Sequence, residues 1–134
     1  MKVLVVEDDD CLEVVVRKLI KGIDKRITMD WETSVDEAIK RLSALDNNID
    51  ELGYQYDLVI IDIFTPGRHN GLHLLQYMRT NFPLIPVVIM SSIDIQRLFT
   101  NLDRRGLEAP AFIHKPFSPN EFRTIVRSAL TARS

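Results

Sequence analysis

Residues 58–67 read Leu-Val-Ile-Ile-Asp-Ile-Phe-Thr-Pro-Gly. Four apolar residues without polar alternation predict a strand over 58–61 that is covered on both faces. Asp62 follows at once, ahead of Thr65-Pro66-Gly67, a turn signal. The same grammar recurs outward in both directions. Residues 2–6 (KVLVV) run into Glu7, Asp8, Asp9 and Asp10; residues 87–90 (VVIM) run into Ser91 and Ser92. Residues 111–114 (AFIH) run into Lys115-Pro116. A fifth run, 27–31, alternates and contains Asp30, which suits a strand at a sheet edge.

Between these runs lie stripes of helical period. Leu12, Val15, Val16, Leu19, Ile20 and Ile23 recur at i, i+3, i+4, i+7, i+8 and i+11, a core-facing pattern. Val35, Ala38, Ile39 and Leu42 repeat it, as do Leu72, Leu75, Met78 and Phe82. Ile95, Leu98, Phe99 and Leu102 make a fourth stripe; Phe122, Ile125, Val126, Ala129 and Leu130 make a fifth. Ser34-x-x-Glu37 and Ser118-Pro119-Asn120-Glu121 are capping boxes. Gly22 and Gly106 stand where helices should stop. Residues 46–55 form a long polar connection before the third strand.

Strands alternating with helices imply right-handed crossovers and a parallel sheet. The edge character of the second strand suits the order 2-1-3-4-5. The expected fold is therefore an α/β, flavodoxin-like (βα)5 doubly wound sandwich.

The chain has 134 residues, enough for one domain with a sizeable core and no need of disulfides. We expect a single domain over 1–134, with no effector domain in this chain. Seventeen Lys+Arg against nineteen Asp+Glu give −2, which argues against direct nucleic-acid binding. The single cysteine, Cys11, excludes an intrachain disulfide and a cysteine-cluster zinc site. No apolar run is long enough to span a bilayer, and the acids after residue 6 do not suit a signal peptide. A cytoplasmic protein with no membrane partner is expected.

In such a sheet the functional crevice lies outside the carboxyl ends of the strands, where the winding reverses. Strands one and three would be neighbours, so Glu7, Asp8 and Asp62 should converge. Two unit charges 5 Å apart at an effective dielectric near 20 repel by roughly 3 kcal/mol. A proton or cation must offset that. Hard oxygen ligands without nearby His or Cys suit Mg²⁺, or Mn²⁺. An ion there would hold a phosphoryl oxygen and leave one carboxylate as nucleophile. Ser91 would donate to a second oxygen and Lys115 would supply a point charge to the third. The chemistry is phosphoryl transfer.

VLVVEDD, LVIIDIFTPG, PVVIMSS and AFIHKPFSPNEF, in this order and each at a strand's carboxyl end, resemble the response regulator receiver domain of two-component signalling. The resemblance covers essentially the whole chain. It implies Asp62 as phosphoacceptor, with Asp8 as a direct Mg²⁺ ligand and Glu7 acting mainly through water. The backbone carbonyl of Phe64 would complete the protein ligands. It further implies Ser91 and Phe112 as the switch pair, Lys115 as the phosphate-sensing lysine, and a cis Lys115-Pro116 peptide. The implied donor is a histidine kinase or a histidine phosphotransfer protein. A downstream protein, or a second copy of the chain, would dock on the face made by the fourth helix and the fifth strand and helix.

The loop 63–71 is one residue longer before Gly71 than the family pattern and carries Arg68 and His69. The positions that usually tune dephosphorylation, two beyond Asp62 and two beyond Ser91, hold Phe64 and Ile93. Neither can orient a water, so slow autodephosphorylation is expected. The domain would catalyse only its own phosphorylation and dephosphorylation, and so is not expected to be an enzyme.

Blander roles compete at each position. Asp8, Asp9 or Asp10 could cap the first helix, Ser91 or more nearly Ser92 the fourth, Asp62 could serve the turn and Lys115-Pro116 could be a loop entry. Two other functions stand beside the leading one. A haloacid dehalogenase-like phosphohydrolase also uses a strand-end aspartate, but its pattern is Asp-x-Asp and position 64 is Phe. A non-phosphorylated pseudo-receiver would lack part of the acid set that is present here.

Overall fold

A computed structural model of the chain describes residues 1–46, 56–63 and 70–132. The chain alternates β1 (Lys2–Val6), α1 (Asp10–Ile23), β2 (Thr28–Glu32), α2 (Val35–Asp46) and β3 (Leu58–Ile61). It continues with α3 (Gly71–Asn81), β4 (Val87–Ser91), α4 (Ile95–Arg104), β5 (Ala111–His114) and α5 (Pro119–Ala132). All strand pairs are parallel and the sheet order is β2-β1-β3-β4-β5, the expected flavodoxin-like arrangement.

Successive residues of one strand point to opposite faces, and here each face is roofed by helices. Leu4, Val6, Val59, Ile61, Val87 and Ile89 enter one layer with residues of α2, α3 and α4. Val3, Val5, Leu58, Ile60, Val88 and Met90 enter the other with α1 and α5. That is why β1, β3 and β4 read as unbroken apolar runs. β2 has only one neighbour and remains mixed. On this edge Arg41 reaches Glu32 (2.6 Å) and Asp30 (3.3 Å), and the Tyr56 hydroxyl donates to Asp30 (2.5 Å). Charges along an edge discourage pairing with another strand.

Several expectations change in detail. β2 occupies 28–32 rather than 27–31; Ile27 is buried just before it and its amide donates to Asp24. β4 includes Ser91, which pairs with His114. Val15 is 46% exposed, so the inward face of α1 is Val16, Leu19 and Ile20, flanked by half-buried Leu12 and Ile23. Ile95 and Phe99 likewise face outward, and α4 is anchored by Leu98 and Leu102 alone.

The caps were only partly legible. Ser34 and Ser118 accept from the amides of Glu37 and Glu121. Gly106 ends α4 at φ +67°, a conformation glycine adopts without strain. Gly22 instead lies inside the last turn of α1, which closes on extended Asp24. Residues 47–55, most of the expected polar connection, lie outside the described residues.

Candidate functional site

The sheet delivers polar side chains to its carboxyl edge wherever an apolar run ends. Glu7 follows β1, Asp62 follows β3, Ser91 ends β4 and Lys115 follows β5. The Glu7 amide donates to Glu32 and the Asp62 amide to Val6, so both carboxylates hang from backbone that still pairs as sheet. The Lys115 amide donates to the Ser91 carbonyl (2.9 Å). The Lys115-Pro116 peptide is cis, as the resemblance implied.

Carboxylate oxygens of Glu7, Asp8 and Asp62 lie within 4.8 Å of one another. Glu7 is 1% exposed and Asp62 5%, whereas Asp8 is open to solvent. The Lys115 ammonium donates to Glu7 Oε2 (2.8 Å) and to Asp62 Oδ2 (3.2 Å). The second oxygen of Glu7 accepts the Asp9 amide (3.2 Å). Burial first, and then a hydrogen bond to Asp62, raise the Glu7 carboxyl to about 7; Lys115 opposes the shift. Burial works against the Lys115 ammonium too, but Glu7 and Asp62 outweigh it and hold its pKa above the usual lysine value.

This donor set suits a hard divalent cation. Ligand oxygens about 2.0–2.6 Å from an ion stand up to roughly 5 Å apart, and the three carboxylates fall inside that span. Among the described residues this is the one carboxylate, histidine or cysteine cluster of metal-binding dimensions. Phe64, whose backbone carbonyl was expected to join it, lies outside the described residues, as do Arg68 and His69.

Ser91 is fully buried, and its Oγ accepts the Ile93 amide (3.2 Å), leaving the hydroxyl hydrogen to donate. Phe112 is half-buried and packs against the α2–α3–α4 layer. With His114, Ser92, Asp94 and Ile95 it lines an open cleft of about 550 Å³. One capping alternative holds and another moves to a neighbour. Asp9 caps α1 through the Cys11 amide and Asp94, not Ser92, caps α4 through the Gln96 amide. The direct Lys115–Glu7 bond was not expected from the sequence. Residues 108 positions apart leave no local pattern, and only the β1 and β5 termini had hinted at it.

The family model for the response regulator receiver domain matches residues 3–127. A two-component response regulator of Arabidopsis thaliana, ARR21, is 31% identical over 133 residues. That match covers 98% of this chain and 19% of that protein. The transcriptional regulatory protein QseB of Haemophilus influenzae is 28% identical, covering 99% of the chain and 54% of that protein. The chain thus spans between about a fifth and about half the length of these relatives. Among solved structures, the receiver domain of NtrX from Brucella abortus superimposes with a TM-score of 0.67 at 30% identity. That superposition covers 96% of this chain and 98% of the other. A response regulator receiver protein from Sinorhizobium medicae gives 0.78 at 21% identity, covering 100% and 97%, and so supports the fold alone. No helix among the described residues is long and apolar enough to cross a membrane.

Proposed function

The chain belongs to the response regulator receiver domain family, and from that premise we propose that it accepts a phosphoryl group on Asp62 in a two-component phosphorelay. The observation that carries this reading is the meeting of three carboxylates with the Lys115 ammonium where β1, β3 and β5 end. In the proposed reaction an Asp62 oxygen attacks phosphorus. The bond to the donor, a phosphohistidine nitrogen or an acyl phosphate oxygen, breaks, and the leaving group departs with that electron pair.

Glu7, Asp8, Asp62 and the backbone carbonyl of Phe64 would hold Mg²⁺, or Mn²⁺, with Glu7 acting mainly through water. Such an ion supplies charge neutralisation at the phosphoryl oxygens. Lys115 already sits on the Asp62 oxygen and would keep contact with the transferred group. The Ser91 hydroxyl hydrogen would donate to another phosphoryl oxygen. Its movement toward the phosphoryl group would open space for Phe112 to pack inward, shifting the population of two states of the α4–β5–α5 face. That face, bearing exposed Ile95 and Phe99, would meet a downstream protein or a second copy of the chain.

In this reading residues 1–134 act as one cytoplasmic receiver domain, phosphorylated by a histidine kinase or phosphotransfer protein, and turn over no external substrate. Intact mass after acetyl phosphate and Mg²⁺ tests it. Wild type should gain one phosphoryl group and Asp62→Asn none. A wild type that gains nothing, or that steadily hydrolyses a phosphomonoester, overturns it.

A further inference from the structure

Gly71 opens α3, and its neighbours are unusual. A Cβ built on it would lie 2.6 Å from the Asp62 carbonyl oxygen, 2.7 Å from the Ile63 Cα and 2.9 Å from the Ile61 Cγ2. Carbon contacts are comfortable near 3.5–4.0 Å, so even one methyl group cannot fit without movement. Two of the three obstacles are backbone, which no rotamer change can clear. We propose that Gly71 is a positioning residue for the Asp62 carboxylate, its lack of a side chain letting α3 brace the Asp62–Ile63 peptide. The inference rests on the reading of Asp62 as phosphoacceptor.

The brace has two sides. On one, the Asp62 amide donates to Val6 (2.9 Å); on the other, the Gly71 amide donates to Ile63 (3.1 Å). The ladder of β3 ends at Ile61, which pairs with Val6 and Ile89, and these two bonds help to hold the peptide that follows. α3 is anchored along its length. Leu72, Leu74, Leu75 and Met78 are buried along it, and Asn70 caps it by accepting the His73 amide (3.1 Å). A methyl group at position 71 therefore forces the Asp62–Ile63 backbone and the start of α3 apart. That motion changes where the Asp62 carboxylate stands relative to Glu7, Asp8 and Lys115. Gly22 offers a matched contrast, because a Cβ there meets only the Arg123 Cδ at 4.0 Å.

The test compares wild type with Gly71→Ala, Gly22→Ala and Met78→Ala. Mg²⁺ affinity is measured by calorimetry well below each melting point, and phosphoryl uptake from acetyl phosphate by intact mass. Gly71→Ala should bind Mg²⁺ about tenfold more weakly and accept phosphoryl on the order of a hundredfold more slowly. Gly22→Ala should match wild type, and Met78→Ala should melt earlier yet keep wild-type affinity. Gly71→Ala with wild-type affinity and rate, or with losses no larger than those of Met78→Ala, overturns the proposal. If Gly71→Ala does not fold, amide exchange in the wild type decides instead. Loading Mg²⁺ with beryllofluoride should slow exchange at the Gly71 amide, and an unchanged rate overturns the proposal. A wild type that binds Mg²⁺ but takes up no phosphoryl group defeats the phosphoacceptor reading by itself. The Mg²⁺ affinity of Gly71→Ala still decides the positioning.

Discussion

Glu7 is a side chain whose ionisation folding opposes. Its carboxyl rises from 4.5 to about 7 because the fold buries it against another carboxylate. An acid with a raised folded pKa holds its proton more tightly folded than unfolded. Its stabilising contribution is therefore present at low pH and is lost as pH climbs from about 5 to about 7. In EDTA the chain should lose on the order of 3 kcal/mol across this window relative to Glu7→Gln. Urea unfolding at several pH values measures it, and parallel curves for the two proteins would refute it. A second residue-scale expectation concerns lifetime. Phe64 and Ile93 offer no group to orient water, so the phosphoryl state should decay slowly, and Phe64→Asn should quicken decay on the order of tenfold. Following the phosphorylated mass over time checks this; rapid wild-type loss would contradict it.

At the scale of elements, α4 is the informative case. Its apolar residues at 95, 98, 99 and 102 read as one stripe, yet Leu98 and Leu102 are 1% exposed while Ile95 and Phe99 are 43% and 45% exposed. Leu98→Ala should therefore cost about 2–5 kcal/mol, whereas Phe99→Ser should stay within about 0.5 kcal/mol. Urea midpoints of the two variants decide it, and equal losses would mean that both side chains face the core. Periodicity placed every helix, and the short apolar-rich runs 2–6, 58–61 and 111–114 placed β1, β3 and β5 to the residue. What periodicity could not divide is the width of a stripe. Val15 is as apolar as Val16, and only the position of the sheet beneath α1 buries one and leaves the other out. Gly22 shows the same limit: glycine marks a helix end only when the next backbone turn needs it, and extended Asp24 made the turn instead.

Across the whole molecule, the site is a consequence of strand order. Parallel strands bring all their carboxyl ends to one edge, so polar residues placed after apolar runs must gather there. That much is written along the chain, because hydrophobic pattern is local and each run announces its own end. Glu7, Asp62, Ser91 and Lys115 were all legible in this way. The distances between them were not. Lys115 meets Glu7 across 108 residues and Asp62 across 53, and the ammonium settles between the two carboxylates because both are buried beside it. Nor could the sequence announce how closely Gly71 would press on the backbone of Asp62, since a glycine before a helix reads the same whether the space beside it is full or empty. Composition and spacing thus determined which residues reach the edge. Packing alone decided which atoms touch there, because contact depends on how two layers of helices close over a sheet.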